Sequence, residues 1–112
     1  MKRASRSRPS EAVIVLVTCP TTRHAHTIAR ELIRQHRAAC VNILPGVTSL
    51  FRWQGRVDQA REALLIVKTP SKQFEPLRQL VCSLHPYEVP EVIAFPLRYA
   101  HQPYLKWLLA SV

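Results

Sequence analysis

The chain first becomes apolar at Ala12-Val13-Ile14-Val15-Leu16-Val17, a run rich in β-branched residues with no polar break. Such a run predicts a central strand, covered on at least one face. Thr18-Cys19-Pro20-Thr21-Thr22 follows, with a threonine placed to cap a helix. Ile28, Ala29, Leu32, Ile33 and His36 then recur at helical spacing, opposite Arg23, Arg30, Arg34 and Arg37. That spacing predicts a helix of about five turns at 3.6 residues each. From Ala39 the period changes to two. Cys40 to Leu44 forms one strand segment, Pro45-Gly46 a break or bulge, and Val47 to Trp53 a second segment. Gln54-Gly55 reads as a hairpin turn, and the chain returns as a strand from Ala60 to Thr69.

Thr69-Pro70-Ser71 ends that strand and opens a second helix, with Phe74, Leu77, Leu80, Val81 and Leu84 on one face. Pro76 falls in its first turn, where a missing N–H is tolerated. His85-Pro86-Tyr87-Glu88-Val89-Pro90 is a proline-stiffened loop. Glu91 to Leu97 gives a last strand, and Tyr104 to Leu109 a short closing helix. The predicted fold class is α+β: a ferredoxin-like β-α-β-β-α-β sandwich with an extended β-hairpin and a C-terminal helix.

Both arms of the hairpin outrun the usual five or six residues of a strand. Their outer halves must project beyond a body built from 112 residues, leaving Phe51 and Trp53 facing water. An exposed aromatic ribbon invites pairing with another chain, so self-association is expected from strand length and burial alone.

Charge and composition narrow the picture further. Lys2, Arg3, Arg6 and Arg8 carry four of the nine net positive charges. They lie in a Ser/Arg/Pro head over residues 1–11, expected to be disordered, ahead of a single domain over residues 12–112. The head followed by an apolar run mimics a secretory signal, with Leu16-Val17-Thr18-Cys19 hinting at a lipoprotein cleavage box. Glu11 interrupts that pattern, no small residue precedes Cys19, and cleavage would delete the best strand. With only two glycines there is no raw material for a glycine-rich phosphate loop. No apolar run approaches the ~20 residues of a membrane span. Three scattered cysteines, Cys19, Cys40 and Cys82, fit reduced thiols in a cytoplasm better than a disulfide framework.

The densest polar cluster is His85 with Tyr87, Glu88 and Glu91. Imidazole and carboxylate together suit a metal such as Cu(II) or Zn(II). The competing reading makes His85 a cap of the second helix and the glutamates partners in surface ion pairs. His24 and His26, two residues apart on a helix, face different directions, and His101 falls in a loop. Cys19 sits at a strand-to-helix junction, where a helix N-terminus lowers a thiol pKa. It is therefore the one cysteine expected to act as a ligand or reactive thiol, with Cys40 and Cys82 in the core. Glu62 and Lys68 share a strand face, in a buried ion pair or a contact between subunits. No serine or cysteine shows a His/Asp relay, and the chain is not expected to be an enzyme. RNA-recognition domains share this element order, but Ala63-Leu64-Leu65-Ile66-Val67 has no aromatic for stacking bases. A basic nucleic-acid-binding module is the lesser alternative, with any binding carried by the head; no membrane partner is expected.

The segments AACVNILPGVTSLFRWQGRV (38–57), EALLIVKTP (62–70) and HPYEVPEVIAFPL (85–97) resemble the CutA family, the divalent-cation-tolerance proteins. VIVLVTCP (13–20) and YLKWL (104–108) extend the similarity over all but the head. The resemblance implies a ferredoxin-like subunit and a tight homotrimer built by strand pairing between subunits, similar in build to PII signalling proteins. It implies a link to copper tolerance and copper binding, or in animal members to anchoring acetylcholinesterase, without an accepted catalytic reaction. Its proposed copper ligands, a strand-end cysteine and a His-His pair before Pro-Tyr, fall here on Cys19 and on Leu84-His85, so one imidazole is missing. The metal candidates are His85 and Cys19, with copper or another divalent cation bound weakly and no cofactor required. Trp53, Gly55, Glu62, Lys68, His85, Tyr87, Pro90, Glu91 and Trp107 also match the family. With Glu88, they imply a subunit cleft suited to a small anionic metabolite.

Overall fold

The computed structural model describes residues 11–112. The head expected over residues 1–11 therefore lies outside it, except Glu11, whose carbonyl accepts a bond from the Ser71 N–H at 2.9 Å. Strand β1 (Ala12–Cys19) leads to helix α1 (Thr22–Arg34), then to the hairpin strands β2 (Cys40–Trp53) and β3 (Arg56–Pro70). A 3-10 turn over Ser71–Gln73 feeds α2 (Phe74–Leu84), followed by β4 (Val92–Pro96) and α3 (Gln102–Ala110). The four strands form one antiparallel sheet in the order β2-β3-β1-β4. This is the ferredoxin-like arrangement the element order predicts.

Alternation along the strands decides the core. Val15, Val17 and Cys19 of β1 and Ala63, Leu65 and Val67 of β3 share one face. Against them pack Ala25, Ile28, Ala29 and Leu32 of α1 and Leu77 and Val81 of α2. The opposite face carries Leu16, Ile66, Lys68 and the half-exposed Ile93 and Phe95. Helix α3 packs on β3, with Leu108 fully buried.

Helix α1 starts where expected, with the Thr21 Oγ1 accepting from the His24 N–H at 3.1 Å. It stops sooner than the apolar spacing suggests, after 13 residues. His36 adopts φ +59°, with bonds from His36 N to Ile33 O and from Arg37 N to Leu32 O. That is a Schellman ending with histidine in the left-handed position glycine usually takes. His36, past the helix end, therefore faces solvent rather than extending the buried stripe, and Ile33, still within the last turn, is exposed as well.

The hairpin is as long as the pattern suggests. Its two strands pair from Cys40↔Lys68 to Trp53↔Arg56, with a register shift between Leu44 and Val47 at Pro45-Gly46. Gln54 (φ +50°) and Gly55 (φ +78°) form the turn. Strand β1 pairs with β3 only between Ala63 and Pro70. Beyond that, the stretch from Arg56 to Glu62 is paired among the described residues with β2 alone, and the molecule is drawn out to 52 × 31 × 23 Å.

Candidate functional site at the end of the first strand

The proline-rich loop 85–91 is tied down by its first residues. The His85 N–H ends α2 by donating to Val81 O at 2.9 Å, and the ring then turns inward, leaving the residue buried. His85 Nε2 lies 2.8 Å from Thr18 O, and Nδ1 lies 3.1 Å from the Tyr87 amide nitrogen. A carbonyl can only accept and a backbone N–H can only donate, so Nε2 carries the proton and Nδ1 the lone pair. Both ring nitrogens are thereby engaged. The Tyr87 ring centroid lies 4.8 Å from that of His85, and its hydroxyl donates to Glu62 Oε2 at 2.7 Å. Burial, then the bond to Glu62, pushes the Tyr87 phenol up to about 12. One loop thus clamps the end of β1 to the point where β3 enters the ribbon.

Cys19 departs from the expectation of a low thiol pKa. It faces the core and is fully buried. Burial, with the Glu62 carboxylate adding, pushes its thiol up to about 11. A helix N-terminus contributes about 0.3–1 kcal/mol at exposed sites, less than removing a thiolate from water costs. The accessible thiols are instead Cys82, exposed on α2, and Cys40, half-buried on β2. Neither belongs to the main core cluster.

These placements bear on metal binding. A Cu(II) site wants several free nitrogen or oxygen donors. His85 offers none in this arrangement, and the Cys19 sulfur is a protonated thiol inside the core. Among the described residues no group of three or more His, Cys, Asp and Glu side chains is placed to hold an ion. The residues as folded in one chain do not fit a resident copper ion.

The remaining candidates scatter. Glu62 and Lys68 do share a face but form no ion pair: six residues of strand separate them by about 20 Å. Glu62 is 8% exposed and held by Tyr87, whereas the Lys68 Nζ donates to Asn42 Oδ1 at 2.6 Å. Glu88 and Glu91 are exposed, and neither forms an ion pair among the described residues. The surface ion pairs considered for them are therefore not formed. Trp53 sits exposed at the ribbon tip, and Trp107 lies on α3 with its ring centroid 5.5 Å from that of Tyr104. One chain does not gather the expected set into a single cleft.

Beside the clamp lies an open cavity of about 290 Å³, lined by Pro20, Thr21, Thr22, Gly46, Arg61, Glu62 and Ala63. It joins the first turn of α1 to the hairpin bulge. Gly46 adopts φ +70°, and a Cβ there would lie 3.3 Å from the Arg61 guanidinium. The guanidinium has no ion pair among the described residues. Nothing in the sequence pattern singles out Arg61 or the Thr21-Thr22 turn as a site; the Pro45-Gly46 break is the one local sign of a close approach here.

Comparison with known proteins places the chain. The profile of the CutA1 divalent ion tolerance protein family matches residues 13–111. The "Divalent-cation tolerance protein CutA" of Thermus thermophilus is 48% identical over 95 residues, spanning 85% of this chain and 92% of that one. The solved structure of the Thermus thermophilus divalent cation tolerance protein superposes with a TM-score of 0.88 at 46% identity, covering 89% of this chain and 97% of that one. The CutA1 crystal structure from Oryza sativa gives a TM-score of 0.88 at 39% identity, covering 92% and 94%.

Proposed function

The chain belongs to the CutA1 divalent ion tolerance family, and on that premise we propose that it is a homotrimeric binding protein which acts by holding a ligand rather than by turnover. The observation that carries this reading is the ribbon. Leu50, Phe51, Trp53 and Val57 stand in solvent on the outer part of the hairpin, where among the described residues no third strand pairs. Strand pairing with neighbouring copies satisfies both the open edges and the apolar side chains. The same assembly is what the family resemblance implies.

The cavity at the end of β1 supports a small anion as ligand. Thr21 and Thr22 at the start of α1 and Arg61 line it beside Glu62, and a helix's first turn together with a guanidinium suits an anion. A divalent cation, the theme of the relatives' names, binds weakly and below one ion per subunit, copper included as the resemblance implies, because His85 and Cys19 are already committed. The three free cysteines suit a cytoplasmic setting. Among the described residues no helix is long and apolar enough to cross a membrane.

Native mass spectrometry gives the assembly, and calorimetric titration with Cu(II) of the wild type and the His85→Ala and Cys19→Ser variants gives the metal stoichiometry. A trimer with equally weak copper binding in all three proteins is expected. A monomer overturns the assembly, and a tight site of one ion per subunit, lost in both variants, overturns the weak-binding reading.

A further inference from the structure

Outside the clamp stand three clusters of chemical interest: the open apolar face of the sheet, the exposed Cys82 on α2, and a polar group at the start of the hairpin. Among the described residues, only the last places two mutually reactive side chains together. Cys40 opens β2 and is paired in register with Lys68 on β3. Directly opposed residues of an antiparallel pair hold their Cβ atoms about 5 Å apart on one face, so the backbone itself sets this proximity. Lys68 Nζ lies 4.0 Å from Cys40 Sγ and is steered by its bond to Asn42 Oδ1. Tyr104 of α3 neighbours the pair: burial raises its phenol, and Cys40 adds to that shift. Cys40 is half-buried rather than sealed in the core, unlike Cys19.

We propose that Cys40 and Lys68 form an oxidatively closed cross-link, an S–N bond joining β2 to β3, made when hydrogen peroxide reaches the thiol. In the first step the Cys40 sulfur attacks the peroxide O–O bond. Sulfur is oxidised by two electrons to a sulfenic acid, and peroxide is reduced, leaving as water. In the second step the Lys68 amine, having released its ammonium proton to solvent, attacks Sγ. The S–O bond breaks, and the hydroxyl departs as water with a proton from the amine. The sum is thiol, ammonium and hydrogen peroxide giving a sulfenamide, two waters and one proton. Sulfenic acids condense reversibly with a backbone nitrogen to a sulfenamide, and here the Lys68 amine takes the place of that nitrogen. Two equivalents of a thiol reductant restore cysteine and lysine and leave as a disulfide.

The link has a structural consequence. The Cys40–Lys68 pair lies at the body end of the hairpin, opposite the ribbon tip. Closing it fixes the register of the two strands where the chain enters from α1 and leaves toward α2. Cys82 has no comparable option. Its near neighbour is the Arg78 guanidinium, with Nη1 at 3.9 Å, which is already paired with Glu75 and is a poor nucleophile.

The test is peptide mapping by mass spectrometry of the full-length protein after hydrogen peroxide, with and without dithiothreitol. The Cys40 and Lys68 peptides should appear joined, lighter by two hydrogen atoms than their sum, and should separate on reduction. Lys68→Arg keeps the charge and the reach to Asn42 but removes the nucleophile. It should abolish the joined peptide and make Cys40 the site trapped by dimedone, a sulfenic-acid reagent, while Cys40→Ser abolishes both products. Cys40 oxidised in the wild type with Lys68 unlinked overturns the proposal, as does a link of unchanged yield in Lys68→Arg.

Discussion

Each cysteine occupies a distinct environment, and alkylation at neutral pH reads them out. Cys82 should be modified first, Cys40 more slowly, and Cys19 only after denaturation, as followed by peptide mapping with iodoacetamide. Rapid labelling of Cys19 in the folded protein would contradict its burial. The same burial makes stability fall in alkali. The Cys19 thiol is raised from 9.0 to about 11 on folding, so the folded state holds its proton more tightly than the unfolded one. Its contribution is complete below pH 9 and is lost as the pH rises toward 11. Urea midpoints measured across that range should decline in the wild type and less steeply in Cys19→Ala. Parity along β1 puts Cys19 on the face of Val15 and Val17, and burial is legible there. The expectation of a lowered pKa weighs a helix terminus without weighing that face.

Glu62 shows what a sequence cannot display at residue scale. Its partner, Tyr87, lies 25 residues away and meets it only because the loop folds back over the end of β1. Tyr87→Phe keeps the ring but leaves Glu62 Oε2 without its donor. A loss of about 2 kcal/mol in unfolding free energy is expected, the scale of a broken hydrogen bond to a mostly buried charged group. Urea denaturation checks it, and an unchanged midpoint would mean that water replaces the hydroxyl at no cost. His85, by contrast, is legible as a residue of consequence from its proline-flanked setting. Its role is not, because the accepting atom is a backbone carbonyl, Thr18 O, which every sequence contains.

At the scale of elements, strands read more faithfully than helix ends. The register break at Pro45-Gly46 and the turn at Gln54-Gly55 fall where the pattern puts them, since proline and glycine announce backbone needs directly. The end of α1 is hidden from the pattern because a histidine occupies the left-handed position at its close, and no glycine marks it. The hairpin turn offers a test of the same physics. Gln54 holds φ +50°, a conformation asparagine tolerates better than glutamine. Gln54→Asn should therefore stabilise the fold by about 0.5 kcal/mol, a fraction of the left-handed penalty for ordinary residues. Thermal unfolding of the protein would register the gain as a higher midpoint, and a lower midpoint would show that the glutamine side chain makes a stabilising contact of its own.

At the scale of the molecule, shape carries the last prediction. A ribbon of seven residue positions, from Arg56 to Glu62, extends beyond the four-stranded sheet. At about 3.3 Å per residue this is a projection of roughly 23 Å. Trp53 and Val57 near its tip are 58% and 67% exposed. Fully burying such a side chain stabilises by about 1.5–3 kcal/mol, and a trimer buries each of them three times. The wild type should therefore remain a trimer by light scattering on dilution through the micromolar range. Replacing residues 48–61 with an Asn-Gly turn keeps the sheet over Ala63 to Pro70, where β1 and β3 pair. That shortened chain should scatter as a monomer at low concentration and lose solubility as concentration rises, because Ile93 and Phe95 on the open sheet face stay uncovered. A wild-type chain that scatters as a monomer would remove the ribbon as the basis of assembly. A shortened chain that still forms a stable trimer would move that basis to the open sheet face instead.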